Sequence, residues 1–302
     1  MGLVIAKLLL PLMSALAMDD AVQVCTDPAD FPGHALSWAS DFGTQGHPSL
    51  RIMPSIGACD GRLPQPEEIW LWLATPILHN ESDPLEEGCS AVFRPLLNER
   101  ERNRLDRFRF ARDRWSFGAA HAGLRAWLST LLDLPAPCIE LEESPFGKPS
   151  ISQRYFGAAM AERFQFNISH TRGMVAVALS GRPIGVDVEQ KRHLPDMRQL
   201  VVDLMAPEAL TAFDEATDPV ARQELFFRLW TLSEAFIKST GLGLEQGLDS
   251  FAFTASGEPV LTRVTPGWSD VMRWRLGHVS HPQATLGWET PSHRPVEAAL
   301  AN

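Results

Sequence analysis

The sequence predicts an α+β fold of two similar halves packed together, with the active site at their interface. Three observations predict it. The coarse order of elements runs strand, helices, strands, then repeats as strand, helices, strands on either side of a turn near residues 181–184. Residues 184–189, Ile-Gly-Val-Asp-Val-Glu, alternate apolar and acidic, so as a strand they bury Val186 and Val188 and aim Asp187 and Glu189 at the opposite face. Residues 222–240 form a strongly amphipathic helix on which Glu234 and Lys238, four apart, sit one turn above each other. Two carboxylates from a strand at the seam, a third from a helix and a lysine beside it suit a hard cation holding a phosphate. Ligand clefts are common between such halves.

Composition bounds the rest. At 302 residues and 45% apolar content the chain can bury a core in one large domain or two small ones. A net charge of −10 argues against nucleic-acid binding, and an anionic ligand would need a local basic patch. Cys25, Cys59, Cys89 and Cys138 lie far apart with no CxxC, so neither a zinc site nor a disulfide framework is indicated. Reduced thiols and a cytoplasmic location follow. Residues 8–13 are an apolar run ahead of Ala15-Leu16-Ala17, with Lys7 the only early cation. A signal peptide, a spurious upstream start and a disordered extension all stay open for it. No later segment is long and apolar enough to span a bilayer, so no stable membrane association is expected. The expected organisation is 1–63 as a poorly structured N-terminal extension, 64–183 as the first half, and 184–302 as the second half ending in a polar tail.

In chain order, residues 69–74 have the length and aromatic content of a buried strand. A charged helix follows over 96–108, then a second over about 112–132, ended by Pro135-Ala136-Pro137. These two helices carry Arg94, Arg100, Arg102, Arg104, Arg107, Arg109, Arg112, Arg114 and Arg125. They read as a solvated face or as an anion-facing patch, and composition does not choose. Residues 139–141 are a strand candidate, and 144–149, Ser-Pro-Phe-Gly-Lys-Pro, a rigid turn whose one cation is Lys148. Residues 164–170 alternate as a strand ending in Ser169-His170, and 174–179 form another. After the acidic strand, 194–204 and 207–213 are helical, the latter with Pro207 in its first turn. Gly241 and Gly243 stop the long helix. Short strands near 250–254, 271–276 and 284–288 precede the tail.

Taken singly, each site candidate has a plain structural explanation. Asp187 and Glu189 could be an exposed strand face, and Glu234 with Lys238 a surface pair worth about 0.2–0.5 kcal/mol. Ser169 and His170 are adjacent on a strand and point to opposite faces, so this Ser is poorly placed for activation by this His. The sequence has no G-x-S-x-G elbow, no GxxxxGK[ST] loop and no GxGxxG, so phosphate binding must rely on a metal and basic side chains. Three carboxylates without Cys or His favour Mg²⁺, or Mn²⁺, over zinc.

Four segments in order, Phe146-Gly147-Lys148-Pro149, Phe166-Asn167-Ile168-Ser169-His170, Gly185-Val186-Asp187-Val188-Glu189 and Trp230-x-x-x-Glu234-Ala235-x-x-x-Lys238, closely resemble the 4′-phosphopantetheinyl transferase superfamily. The likeness is to its surfactin-type branch, whose single chain folds as two pseudo-symmetric halves, and it covers about residues 63–288. It implies transfer of the phosphopantetheine arm of coenzyme A to a serine of an acyl or peptidyl carrier protein, releasing adenosine 3′,5′-bisphosphate, by a monomer. By motif, Asp187, Glu189 and Glu234 resemble the Mg²⁺ ligands, and Lys238 the lysine that stabilises the transferring phosphate. Lys148 and Pro149 resemble the turn bordering the adenine nucleotide, Ser169 and His170 the pair near the CoA phosphates, and Glu208 a glutamate that activates the carrier serine. Two positions depart: Ser233 and Ser116 stand where cations are usual, with Arg114 or Arg112 as substitutes for the latter. They leave open a catalytically weakened CoA- or carrier-binding homologue.

Overall fold

Strand β2 (Ile69–Ala74) is an uninterrupted apolar run because both of its faces are covered. In the computed structural model the described residues are 50–52, 62–65, 68–74, 93–171, 174–257, 259–265, 276–281 and 296–301. β2 pairs in parallel with β1 (Leu50–Ile52) and antiparallel with β6 (Met174–Ser180), which pairs antiparallel with β5 (Gln165–Thr171). β1 corrects one expectation: three residues of the supposed extension join the sheet. The apolar run near the N-terminus lies outside the described residues.

One face of this sheet packs Trp70, Trp72 and Val177 against helix α2 (Ala111–Leu132), through Leu124, Trp127 and Leu128. Helix α1 (Glu99–Leu105) starts later than its apolar pattern suggests because Asn98 caps it, accepting from the N–H of Glu101 while Glu101 accepts from the N–H of Asn98. Arg125 belongs neither to a solvated face nor to an anion patch. It is fully buried, donating Nε to Glu101 and Nη1 to the carbonyls of Ala136 and Ile139, at 2.7 and 3.0 Å. Because Ile139 serves Arg125, the hairpin begins two residues later than expected, as β3 (Leu141–Glu143) and β4 (Pro149–Ile151). Two short helices, α3 (Gln153–Phe156) and α4 (Ala158–Arg163), lead into β5.

The second half opens with β7 (Gly185–Gln190) and helices α5 (Met197–Leu204), α6 (Pro207–Glu215) and α7 (Pro219–Thr240). α7 starts three residues earlier than its amphipathic pattern, at an Asp218 cap with Pro219 in the first turn, and ends at Gly241 with φ 74°. A hairpin of β8 (Phe251–Phe253) and β9 (Leu261–Val264) covers its aromatic face through Phe236. β10 (Leu276–His281) shares Leu276 with the strand expected at 271–276; residues 271–275, like the strand expected at 284–288, lie outside the described residues.

The supposed polar tail is a further correction. β11 (Val296–Ala301) inserts between β10 and β7, antiparallel to both, and pairs Glu189 with Glu297 and Asp187 with Ala299 in register. An acidic strand with an open ladder needs such a partner. Among the described residues no helix is long and apolar enough to cross a membrane.

The two halves meet along β5 and β7, which belong to different sheets. Behind them Ile69, Leu71, Leu73, Ala176 and Ala178 share one apolar core with Ile184, Val186 and Val188. In front, side chains replace the missing ladder. Asn167 Oδ1 accepts from the N–H of Val186 at 2.9 Å, Ser169 Oγ donates to Asp187 Oδ1 at 3.0 Å, and Thr171 Oγ1 accepts from the N–H of Gln190 at 3.3 Å. These are alternate residues of β5, so one strand face supplies all three.

Candidate active site

The alternation of β7 buries Val186 and Val188 behind and turns Asp187 and Glu189 forward, where α7 brings Glu234 and Lys238. All four line one cleft of about 520 Å³ together with Ser169 and His170 from β5. α7 can approach so closely because Gly185 has no side chain: a Cβ there would lie 1.9 Å from the carbonyl oxygen of Ala235. Phe108, Leu194, Phe226, Phe227, Trp230 and Leu244 make the apolar part of the wall.

Lys238 Nζ donates to Asp187 Oδ1 at 2.6 Å and to Ser169 Oγ at 3.1 Å. Burial pulls the Lys238 ammonium down, but Asp187 first and then Glu234 and Glu189 outweigh it and hold its pKa above the ordinary value. Burial pushes Glu189 up to about 8, with Asp187 adding repulsion and Lys238 and Arg192 offsetting part of it. Burial likewise raises Glu234 to about 7, against the attraction of Lys238. Asp187 is itself buried, and its second oxygen, Oδ2, has no hydrogen-bond partner. Asp187, Glu189 and Glu234 thus crowd around the Lys238 ammonium, with Asp113, Arg112 and Arg192 also on the cleft wall.

This donor set fits Mg²⁺ or Mn²⁺. It is all oxygen, it includes one orphaned buried oxygen, and burial leaves two of its carboxyls raised. Among the described residues no three ligating side chains are already gathered closely enough to hold a metal ion. Lys238 sits on Asp187 instead.

Other predicted residues lie elsewhere. Arg114 donates Nη2 to the carbonyl of Phe108 at 2.8 Å and is not in the cleft wall. Arg112, one turn before Ser116, lines the cleft with it, its guanidinium 4.9 Å from the Phe110 ring centroid. Ser233 is buried in α7 away from the cleft wall. Lys148 donates Nζ to the carbonyls of Ile184 and Ser239, and Pro149 opens β4; neither lines the cleft. Glu208 is exposed at the start of α6, clasped by Arg263 at 2.6 and 3.1 Å, which holds its carboxyl below the usual range. Sequence patterns missed Asn167 and Thr171, although their spacing around Ser169 is the signature of one strand face.

Comparison with known proteins gives the class to which this fold and cleft belong. Residues 183–285 match the family model described as the 4′-phosphopantetheinyl transferase superfamily, and residues 83–182 match the model for the N-terminal part of 4′-phosphopantetheinyl transferase. The 4′-phosphopantetheinyl transferase psf-1 of Bacillus pumilus is 32% identical over 178 residues, covering 57% of this chain and 70% of the relative. HetI of Nostoc sp. is 28% identical over 210 residues, 68% of this chain and 86% of the relative. Sfp of Bacillus subtilis is 27% identical over 176 residues, 56% of this chain and 71% of the relative. The chain belongs to the 4′-phosphopantetheinyl transferase superfamily and is an enzyme of it. Within it, the psf-1 and Sfp likeness and the two matched segments place it in the surfactin-type branch.

Proposed function

We propose that the enzyme transfers the 4′-phosphopantetheine arm of coenzyme A to a serine of an acyl or peptidyl carrier protein, with Mg²⁺, releasing adenosine 3′,5′-bisphosphate. The observation that carries this is the convergence of Asp187, Glu189, Glu234 and Lys238 on one cleft at the junction of β7 and α7. Residues 64–183 and 184–302 are then the two halves, and the cleft belongs to both. The enzyme acts as a cytoplasmic monomer without stable membrane association.

Asp187, Glu189 and Glu234 would hold the cation, which when bound supplies charge neutralisation at the CoA pyrophosphate. Lys238, fully protonated beside Asp187, presents positive charge where negative charge grows on the transferring phosphate and the leaving oxygen. Ser169 fixes the Asp187 carboxylate, and His170 stands at the cleft wall as a contact for the ligand phosphates. Arg112 supplies the cation on the α2 wall in preference to Arg114. Lys148 and Pro149 act from outside the wall. To take the serine proton, Glu208 must first leave Arg263, which makes it a weak base at rest. A weakened, non-catalytic homologue finds less support: Ser233 lies off the cleft and Arg112 stands one turn from Ser116.

The test is intact-mass measurement on an apo-carrier protein incubated with the enzyme, CoA and Mg²⁺. A gain of one phosphopantetheine is expected; no gain on several carriers that a reference transferase modifies would overturn the proposal.

The raised carboxyls give a second expectation. Glu189 and Glu234 ionise less readily in the fold than in the unfolded chain, so the folded protein holds more protons between about pH 4.5 and pH 7–8. Their contribution to stability is present at low pH and is lost as pH rises through that window. A bound cation would favour the ionised carboxylates and so offset the burial and the Asp187 repulsion behind that loss. Added Mg²⁺ should therefore raise the melting temperature more at pH 8 than at pH 6, and an equal increment at both would contradict the metal assignment.

A further inference from the structure

The turn between β3 and β4 is stiff. Ser144 Oγ accepts from the N–H groups of Phe146 and Lys148, the Gly147 N–H donates to Ser144 O at 2.8 Å, and Ser144 N–H donates to Lys148 O at 2.9 Å. It lies against the end of α7: Phe146 is beside Gly243, and the Lys148 stem is beside Gly241. From there Lys148 Nζ donates to Ile184 O at 3.0 Å and to Ser239 O at 3.1 Å. Ile184 precedes Gly185, the first residue of β7, and Ser239 follows Lys238. One ammonium thus bridges the chain neighbours of the acidic strand and of the catalytic lysine.

The chemistry suits that task. Ser239 O is among the last carbonyls of α7, which lack intrahelical partners and lie at the negative end of the helix dipole. A lysine offers three donors on a flexible stem and can serve two carbonyls from separate segments. Its partners are neutral dipoles, and it lies outside the cleft wall, so it acts through the elements it joins.

We infer that Lys148 is a positioning residue: it holds β7 against α7 at the spacing that lets Asp187 and Glu189 work with Glu234 and Lys238. This rests on the proposed transfer reaction for its meaning, while its structural part is testable alone. The experiment compares Lys148→Met, which keeps the stem and loses both bonds, with Lys148→Arg and Lys148→Gln. Mn²⁺ binding to the CoA-free protein is read by electron paramagnetic resonance; kcat and KM for CoA are read on a carrier protein. For Lys148→Met, Mn²⁺ affinity should fall about 10–100-fold, as for other residues that orient ligands from behind. With Mg²⁺ held saturating for each variant, kcat should fall, and KM for CoA should change less than about twofold, since the loaded cleft keeps its own contacts to CoA. Arg should restore most of the loss and Gln part of it; if the Met protein fails to fold, that graded order decides. A raised KM for CoA with Mn²⁺ affinity and kcat unchanged would overturn the inference in favour of direct nucleotide contact, as would no change at all. Should the wild type bind Mn²⁺ but transfer nothing, the function falls, and the Mn²⁺ arm still decides the role of Lys148.

Discussion

Asp187→Asn is expected to lower transfer by about a thousandfold while leaving the fold nearly as stable, because two stability effects oppose each other and the catalytic effects add. Removing the carboxylate charge takes the nearest anion from Lys238, and breaking a buried pair in this way typically costs about 3–5 kcal/mol. The same change relieves part of the strain on Glu189 and Glu234, whose carboxyls burial and then Asp187 push up, and makes ionisation beside Lys238 easier for both. Lys238 keeps a counter-charge and the net loss of stability should be small. Activity has no such compensation. The cation site loses the residue that carries its orphaned oxygen, and Lys238 loses the partner that aims it. Intact-mass assay of the carrier, paired with a melting curve, reads both; a folded Asp187→Asn enzyme with near-wild-type turnover would sink the assignment.

Gly185→Ala should be the most damaging single-methyl change near the cleft. Its new Cβ would meet the Ala235 carbonyl oxygen at 1.9 Å and the Ser239 nitrogen at 2.5 Å. Both are backbone atoms of α7, so no side chain can swing aside, and strand and helix must separate. Overpacking of this kind costs about 1–3 kcal/mol or more, which is a drop of roughly 2–4 °C per kcal/mol for a chain of this class. Turnover should suffer further, since a displacement of about 1 Å between catalytic groups can cost a hundredfold. Gly257→Ala is the control. Its φ of 72° strains a side chain, but nothing lies within 4 Å of the added carbon. It should lose about 1–2 kcal/mol at most with turnover unchanged. Equal activity loss in the two variants would show that the close contact at Gly185 is not what matters.

The parts legible in the sequence were those written in local pattern. The alternation of Val186, Asp187, Val188 and Glu189 located the acidic strand, and the four-residue spacing of Glu234 and Lys238 put both on one helix face. These four line one cleft together, whereas Ser169, which joins them there, was indicated only by the family resemblance. What was not legible depends on partners distant in the chain. β11 reads locally as a few small apolar residues near the terminus, and only the open edge of β7 makes it a strand. Arg125 looks like its neighbours until the carbonyls of Ala136 and Ile139 close around it. Lys148 was recognisable as a cation on a rigid turn, but nothing local says that its ammonium crosses to Ile184 and Ser239. One displacement could have been read from spacing: Arg112 is four residues from Ser116 and shares its helix face, whereas Arg114 is two away and does not.

The proposed transfer reaction is tested most directly by the mass of an apo-carrier protein after incubation with the enzyme, CoA and Mg²⁺, set beside the same mixture with a chelator. The cleft built from Asp187, Glu189, Glu234 and Lys238 predicts a gain of one phosphopantetheine on the carrier serine in the first mixture and none in the second. An unmodified carrier in both, or equal modification in both, would contradict it.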